Sequence, residues 1–495
     1  MKKVIIIGSG FSGLSAASYM AKAGWDVTVI EKHDIPGGRA RRLKENGFIF
    51  DMGPSWYWMP GVFEQYFENF GKKISDYYKL KRLDPSYEVY WQNDRVQIPA
   101  GYEALKRLFE DVENGSSLKL DEYLEQAQFK YNIGIKKLVQ KPGRSWMEFA
   151  DREFLGGILK MDVFTSIKSH IHKYFKDTRL RQLLEFPILF LGALPENTPA
   201  LYSLMNYADI IGGTWYPEKG MYSVVEAMYS LARELGVKFL FNEDALSINI
   251  SDGTAVSITT ETSLAIRKSY NAEVIISSAD YHFTETRLVE KRYRSYTNKY
   301  WEKRTMAPGC LLYYIGLNKK LTGITHHSLF FDVDFNEHAR DIYKTKKWPA
   351  DPLFYVSATS VSDNTVAPGG HENLFFLIPV ASGLTGDTDE LRERYFEKIL
   401  QRFEARTGQD VKNSIVYKKT FGPSDFAGEY NAFKGNAYGL ANTLMQTAVL
   451  KPSCKSRKVK NLFYAGQLTV PGPGVPPSLI SGEVVAREVI KQFGH

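Results

Sequence analysis

Three glycines near the start of the chain, Gly8, Gly10 and Gly13, stand at the spacing Gly-x-Gly-x-x-Gly. They follow a short β-branched run, Val4 to Ile7, and open a stretch rich in Ala and Leu that Gly24 ends. In that setting Gly8 permits a tight turn, Gly10 lets the backbone approach a pyrophosphate, and Gly13 lets helix and strand pack closely. Phosphate oxygens would meet the helix N-terminus at Phe11 and Ser12, where free N–H groups and the helix dipole favour negative charge. Glu31 lies 18 residues beyond Gly13, at the end of a second strand, Val27 to Ile30, with Lys32 next to it. A carboxylate there accepts hydrogen bonds from an adenosine ribose. The strand–helix–strand unit therefore reads as a site for the ADP half of a dinucleotide, without saying which dinucleotide.

A second patch follows at Gly37-Gly38-Arg39-Ala40, and a third at Asp51-Met52-Gly53-Pro54-Ser55. Paired glycines bring backbone near a ligand, and an arginine supplies a rigid fork of donors for phosphate. Alone, either patch would be an ordinary surface turn. At the far end, Leu462 to Ala465 reads as a strand, and Gly466 and Gln467 begin a turn. The Gly/Pro-rich run Pro471 to Pro477, containing Gly474, Val475 and Pro476, then leads into a helix from Ser478 to Phe493. A helix N-terminus at that point favours negative charge nearby.

In this order the patches resemble the flavin amine oxidase and carotenoid desaturase superfamily, which uses the GGR segment for FAD phosphates and the C-terminal strand and helix for the ribityl chain and flavin ring. The segments EKHDIPGGRARRLKENGFIFDMGPSWYWMP, TWYPEKGMYSVVEAM and LTVPGPGVPPSLISGEVVA, with FFLIPVA and NAFKGNAYGLANT, narrow the resemblance to bacterial-type phytoene desaturases, in their Bacteroidetes-like branch. The resemblance implies non-covalent FAD and a carotenoid substrate. The reaction is desaturation of phytoene towards lycopene or, alternatively, 3,4-desaturation of a 1-hydroxycarotenoid. It also implies a family contact at Ala245, where relatives often carry Val. A flavin oxidase of a polar amine or porphyrinogen, and a non-enzymatic lipid-binding relative, are the readings from other classes.

The fold class expected is α/β. A Rossmann-like FAD-binding domain is assembled from residues 1–70, 220–290 and 455–495. An inserted α+β substrate domain, residues 71–219 and 291–454, carries a helical membrane-facing part. Residues 60–210 read as mostly helical, with an apolar run at Phe186 to Leu191 inside a periodic stretch from Val163 to Leu194. Helices are also expected at Tyr222 to Glu234 and Asp389 to Thr407, and strands at Val237 to Phe241, Ala255 to Thr259 and Val274 to Ser277.

Composition sets the remaining bounds. Hydrophobic residues are 44% and charged residues 24% of 495, as in an ordinary globular protein with a large core. The net charge of +7 comes without a basic stripe and gives no reason to expect nucleic acid. It suits weak attraction to an anionic membrane face. Two cysteines, Cys310 and Cys454, make neither a disulfide framework nor a covalent-flavin motif. With neither a signal-peptide pattern nor a run of about 20 apolar residues, the expected location is cytoplasmic and peripherally membrane-associated. His326-His327 and His170-x-His172 lack partners at metal-ligand spacing and read as satisfied or surface histidines, so no metal is expected. Asp332-x-Asp334 reads as a loop feature, and Lys451 to Lys460 as a solvated loop. The catalytic base is left unassigned, with His170, His172 and Lys168 as weak candidates. One dinucleotide fingerprint means that electrons leave to an external acceptor such as oxygen or a quinone.

Overall fold

The computed structural model describes residues 1–149, 162, 164–189 and 192–494. Val163, Phe190 and Leu191, part of the expected helical and apolar run, lie outside the described residues. Strand β1 (Lys3–Ile7) is central in a five-stranded parallel sheet. Helix α1 (Phe11–Lys22) connects it to β2 (Asp26–Ile30), which pairs with it in parallel. On its other side β1 pairs with the strand Val274–Ser277, and the outer positions are taken by Lys238–Leu240 and Leu462–Tyr464. The sheet is thus drawn from segments scattered over the whole chain. Its central strands are mostly apolar and buried, as in parallel sheets covered on both faces. On one face α1 packs against the C-terminal helix Val475–Phe493 and against the helix Tyr222–Glu234.

A second, seven-stranded sheet runs in the order Ile415–Phe421, Gly309–Leu317, Glu372–Val380, Phe354–Ser357, His327–Phe330, Tyr87–Tyr90, Arg95–Ile98. All its pairings are antiparallel except that of His327–Phe330 with Tyr87–Tyr90. The helix Asp389–Thr407 covers one face through Phe396, Ile399, Leu400 and Phe403. A three-stranded meander, Glu243–Ser251, Thr254–Thr262 and Arg267–Asn271, stands apart.

Several expectations are revised. The stretch 60–210 is not only helical: Tyr87–Tyr90 and Arg95–Ile98 form an edge of the large sheet. All four residues of Tyr87–Tyr90 are buried, so no period-two alternation marks them, and their parallel partner lies far away in sequence. The C-terminal helix starts at Val475 rather than Ser478, because Gly474 turns the chain at φ 109° and Pro tolerates the first helical turn. Asp332 lies in the loop between His327–Phe330 and Phe335–Arg340, as expected, but it is not a surface group. It is buried, accepts from Arg402, and pairs with Arg406 Nε at 3.2 Å.

Lys451 does not belong to a solvated loop either. It is buried, its Nζ donates to Asn442 Oδ1 at 2.8 Å, and burial lowers its pKa from 10.5 to about 7. A folded pKa below the unfolded one means that folding disfavours the ammonium form. That penalty is complete below about pH 7 and disappears as pH rises to 10.5. Lys451→Met should therefore raise the melting temperature relative to wild type at pH 6.5, and the difference should shrink at pH 9.5. Paired thermal melts check this, and a pH-independent difference would contradict it.

Candidate cofactor and substrate site

One cavity of about 400 Å³ lies where the two large sheets meet. Of the residues singled out from sequence, Gly8, Gly10, Phe11, Ser12, Glu31, Lys32, Gly37, Gly38, Arg39, Ala40, Gly53, Pro54, Ser55, Ala245, Gly466, Gln467, Gly474, Val475 and Pro476 all line it. Gly13 does not line it and acts one layer back. A Cβ there would fall inside the contact radius of the Gly8 carbonyl oxygen, so only glycine lets α1 begin this close to the turn after β1.

The two glycine loops are built against each other. Gly37 N–H donates to Ser9 O at 2.9 Å, and a Cβ on Gly38 would stand 3.5 Å from Gly10 Cα. Gly38 has φ 53° and Gly37 has φ 119°, a left-handed backbone that glycine adopts at little cost. Glu31 fastens the first loop. Its Oε2 accepts from Ser9 N–H at 2.8 Å and from Ser9 Oγ at 2.7 Å, while Oε1 accepts from His33 N–H at 3.0 Å. Each carboxylate oxygen can accept twice, so Oε1 keeps capacity for a ligand hydroxyl.

Arg39 carries positive charge into the same space. Its Nη1 donates to Ala437 O at 3.2 Å, and its Nη2 stands 4.0 Å from Asp280 Oδ2. Burial pushes the Asp280 carboxyl up, and Arg39 pulls against that shift. Most of the guanidinium's five N–H donors are left for a ligand. At the C-terminal helix, Pro476 and Pro477 have no N–H to offer and Ser478 N–H donates to Gly474 O, which leaves the Val475 N–H in the first turn. Asp51 serves another purpose. Its oxygens accept from Met221 and Tyr222 N–H at 2.7 and 2.9 Å, which caps the helix Tyr222–Glu234.

Beyond Ser55 the lining changes character. Trp56, Trp58, Met59, Met205, Leu312, Tyr355 and Leu377 form an apolar, aromatic end without a charged group. Phe186 packs behind Trp56 and Trp58, with ring centroids 6.1 and 6.4 Å away. Trp56 and Trp58 come directly after Ser55 in the chain, so their aromatic alternation is a signal the sequence carries. Tyr355 arrives on a strand of the large sheet, and no local pattern announces it. Asp280 and Tyr430, which also line the cavity, are likewise brought in from distant segments.

His170, His172 and Lys168 do not line this cavity. Lys168 borders a separate polar cleft with Glu185 and Glu196, and His172 Nε2 meets Glu185 Oε1 at 3.0 Å. His326 and His327 are neither exposed nor fully satisfied. Both are buried, and both nitrogens of His326 and Nε2 of His327 lack a partner among the described residues. Cys310 lines the cavity, whereas Cys454 lies in the core beneath the parallel sheet, and burial pushes both thiols up to about 12.

The residues present fit a dinucleotide. Bare backbone from two glycine loops and an α1 N-terminus serve the phosphates, Glu31 and Arg39 supply complementary polar ends, and the apolar end has room for a planar ring and a hydrocarbon.

The sequence profile of the family described as flavin containing amine oxidoreductase matches residues 11–490. A carotenoid 3,4-desaturase of Haloarcula japonica is 38% identical over 494 residues, 99% of this chain and 98% of that one. A zeta-carotene-forming phytoene desaturase of Myxococcus xanthus is 30% identical over 99% of this chain and 94% of its own. Among solved structures, an oxidoreductase from Methanosarcina mazei superposes with TM-score 0.63 at 15% identity, covering 98% of this chain and all of the other. Putrescine oxidase superposes with TM-score 0.62 at 15% identity over 99% of both chains. These two show the fold.

Replacing Arg39 with Ala removes charge-assisted contacts to a bound dinucleotide, each worth about 1.5–3 kcal/mol. The affinity for FAD should fall at least tenfold while the fold persists. A titration followed by flavin fluorescence, with circular dichroism as the control, checks it. Equal affinities would place Arg39 away from the ligand.

Proposed function

The chain belongs to the flavin-containing amine oxidoreductase family, as an FAD-dependent carotenoid desaturase acting on CH–CH bonds, and from that premise we propose that it desaturates phytoene towards lycopene. The observation that carries this reading is a single cavity lined both by the glycine loops, Glu31 and Arg39 and by Trp56, Trp58, Met59, Leu312 and Leu377. The large apolar and aromatic side chains named there suit a hydrocarbon, and the full-length similarity to two carotenoid desaturases favours it over a polar amine. We assign the lining residues named above to non-covalent FAD, and residues 1–70, 220–290 and 455–495 to the part that holds it. A second reading, 3,4-desaturation of a hydroxylated carotenoid, is favoured by the 38% identity to an enzyme named for that reaction.

Desaturation removes a hydride and a proton from adjacent carbons, and bound FAD supplies the two-electron acceptor for the hydride. The chain's own part is to exclude water, to lay the polyene along Trp56, Trp58 and Leu377, and to hold the reacting carbons still. A positive charge spread over a conjugated polyene loses its proton to a weak base, so the lack of a carboxylate at the aromatic end is no obstacle. The electrons then pass to an external acceptor, oxygen or a quinone.

A carotenoid-sized hydrocarbon does not cross water freely, since each buried CH₂ is worth about 0.8 kcal/mol. No described helix is long and apolar enough to span a membrane. We place the membrane-facing surface around Met147, Phe164, Leu444, Met445 and Leu450, large apolar side chains that are exposed. A Cβ on Gly143 would touch Ala448, which brings the first and last of these segments together. Phe186 and Ile188, from the run expected to meet the bilayer, are buried instead.

Liposomes containing phytoene, or a hydroxylated carotene in a parallel arm, should yield desaturated product by chromatography. Flotation should show reversible binding that strengthens with anionic lipid and weakens with salt. Product from a polar amine or porphyrinogen, with no liposome binding at any salt, would refute the assignment.

A further inference from the structure

Ser55, one of the residues assigned to the cofactor, is joined to a line of polar atoms that runs back into the protein through Tyr355 and His327. Ser55 lines the cavity, and its Oγ accepts from the Tyr355 hydroxyl at 3.0 Å. Tyr355 Oη in turn lies 2.6 Å from His327 Nδ1. The buried imidazole of His327 stacks on Trp56, with centroids 4.1 Å apart and planes 11° apart, so the ring plane is fixed. Burial holds His327 well below its usual pKa and pushes the Tyr355 hydroxyl up, so both stay neutral.

The direction of the chain follows from the donors. The Tyr355 hydroxyl hydrogen is committed to Ser55, so the 2.6 Å contact is closed by His327 Nδ1–H donating to Tyr355 Oη. His327 Nε2, which has no partner among the described residues, is then a bare acceptor rather than a stranded N–H. The sequence Nδ1–H to Oη–H to Oγ–H points one way, and its last hydrogen, on Ser55, has no acceptor among the described residues. Trp56 Nε1–H, from the next residue, is also buried without a partner. Of these two donors, the Ser55 hydroxyl belongs to a residue that lines the cavity, while Trp56 Nε1 is buried. Hydrogen bonds in series polarise one another, which makes the terminal donor stronger than an isolated serine.

We propose that Ser55, oriented and polarised by Tyr355 and His327, donates a hydrogen bond to the redox-active ring of the bound cofactor and favours its electron-rich, reduced form. Tyr355 and His327 act through Ser55 and are positioning residues. The inference rests on the FAD reading but not on which carotenoid is the substrate, because its readout is a potential.

The test uses the full-length holoprotein and measures the flavin midpoint potential by anaerobic equilibration with reference dyes. Ser55→Ala should weaken the preference for the reduced form about tenfold, a fall of about 30 mV for a two-electron couple. Tyr355→Phe and His327→Gln should each lower the potential by part of that amount. In a Ser55→Ala background, Tyr355→Phe should add nothing, because its effect passes through the serine. FAD content and melting temperature are measured alongside, and the His327→Gln variant keeps the test open if Tyr355→Phe does not fold. Unchanged potentials in variants that retain FAD would overturn the proposal, as would an undiminished Tyr355→Phe shift in the Ser55→Ala background. A wild-type protein that takes up no FAD would overturn the flavoprotein reading itself, and absorbance separates that result from the others.

Discussion

Glu31 bonds at once to the backbone and hydroxyl of Ser9 and to the backbone of His33, and this clamp holds the first glycine loop against the end of β2. The rest of the site depends on the clamp, because the second loop bonds to the same serine through Gly37 N–H. Three requirements meet in a few ångströms: a turn with positive φ, a helix start free of side chains, and a second chain crossing in contact. Glycine alone meets them, so the motif is a packing solution before it is a phosphate site. The buried carboxylate is stable there because three hydrogen bonds satisfy it.

The cavity then divides its work by polarity. Its first end is backbone and charge, with Arg39 balanced by Asp280 at 4.0 Å, close enough to steady the guanidinium while leaving most of its donors unspent. Its second end is carbon and aromatic rings contributed largely by the seven-stranded sheet and by Trp56 and Trp58. Segment 53–58 passes through both regions, so one short stretch sets where the polar half stops. The line from His327 through Tyr355 to Ser55 reaches the cavity at that boundary. Water kept out at the apolar end raises the worth of every hydrogen bond made there.

Much of the first end was legible because its constraints are local. Gly8, Gly10, Gly13 and Glu31 belong to one βαβ unit, and spacing alone specifies it. The helices Tyr222–Glu234 and Asp389–Thr407 carry their own periodicity and fall where the pattern puts them. The second end was not legible for the opposite reason. Tyr87–Tyr90 is buried on both faces and pairs with a strand more than two hundred residues away, so no window contains the information. His326 and His327 escape a sequence reading because a histidine's surroundings come from other strands. The same holds for Lys451, whose burial comes from tertiary packing and not from the basic run around it. Asp332 needed the helix Asp389–Thr407 to bring Arg402 and Arg406 within reach.

The apolar and aromatic part of the cavity lining suits a hydrocarbon substrate. Amine oxidation and polyene desaturation share the hydride step and differ in the demands made after it. An amine must present its nitrogen lone pair. A polyene needs only that the charge left behind be spread and kept from water. Trp56, Trp58, Met59, Leu312 and Leu377 provide that environment. A charged residue introduced on that wall to assist proton removal would itself have to be desolvated, at a cost larger than a delocalised cation demands. Among the described residues the side chains named at the aromatic end carry no charge, so what they offer a substrate is shape and dryness.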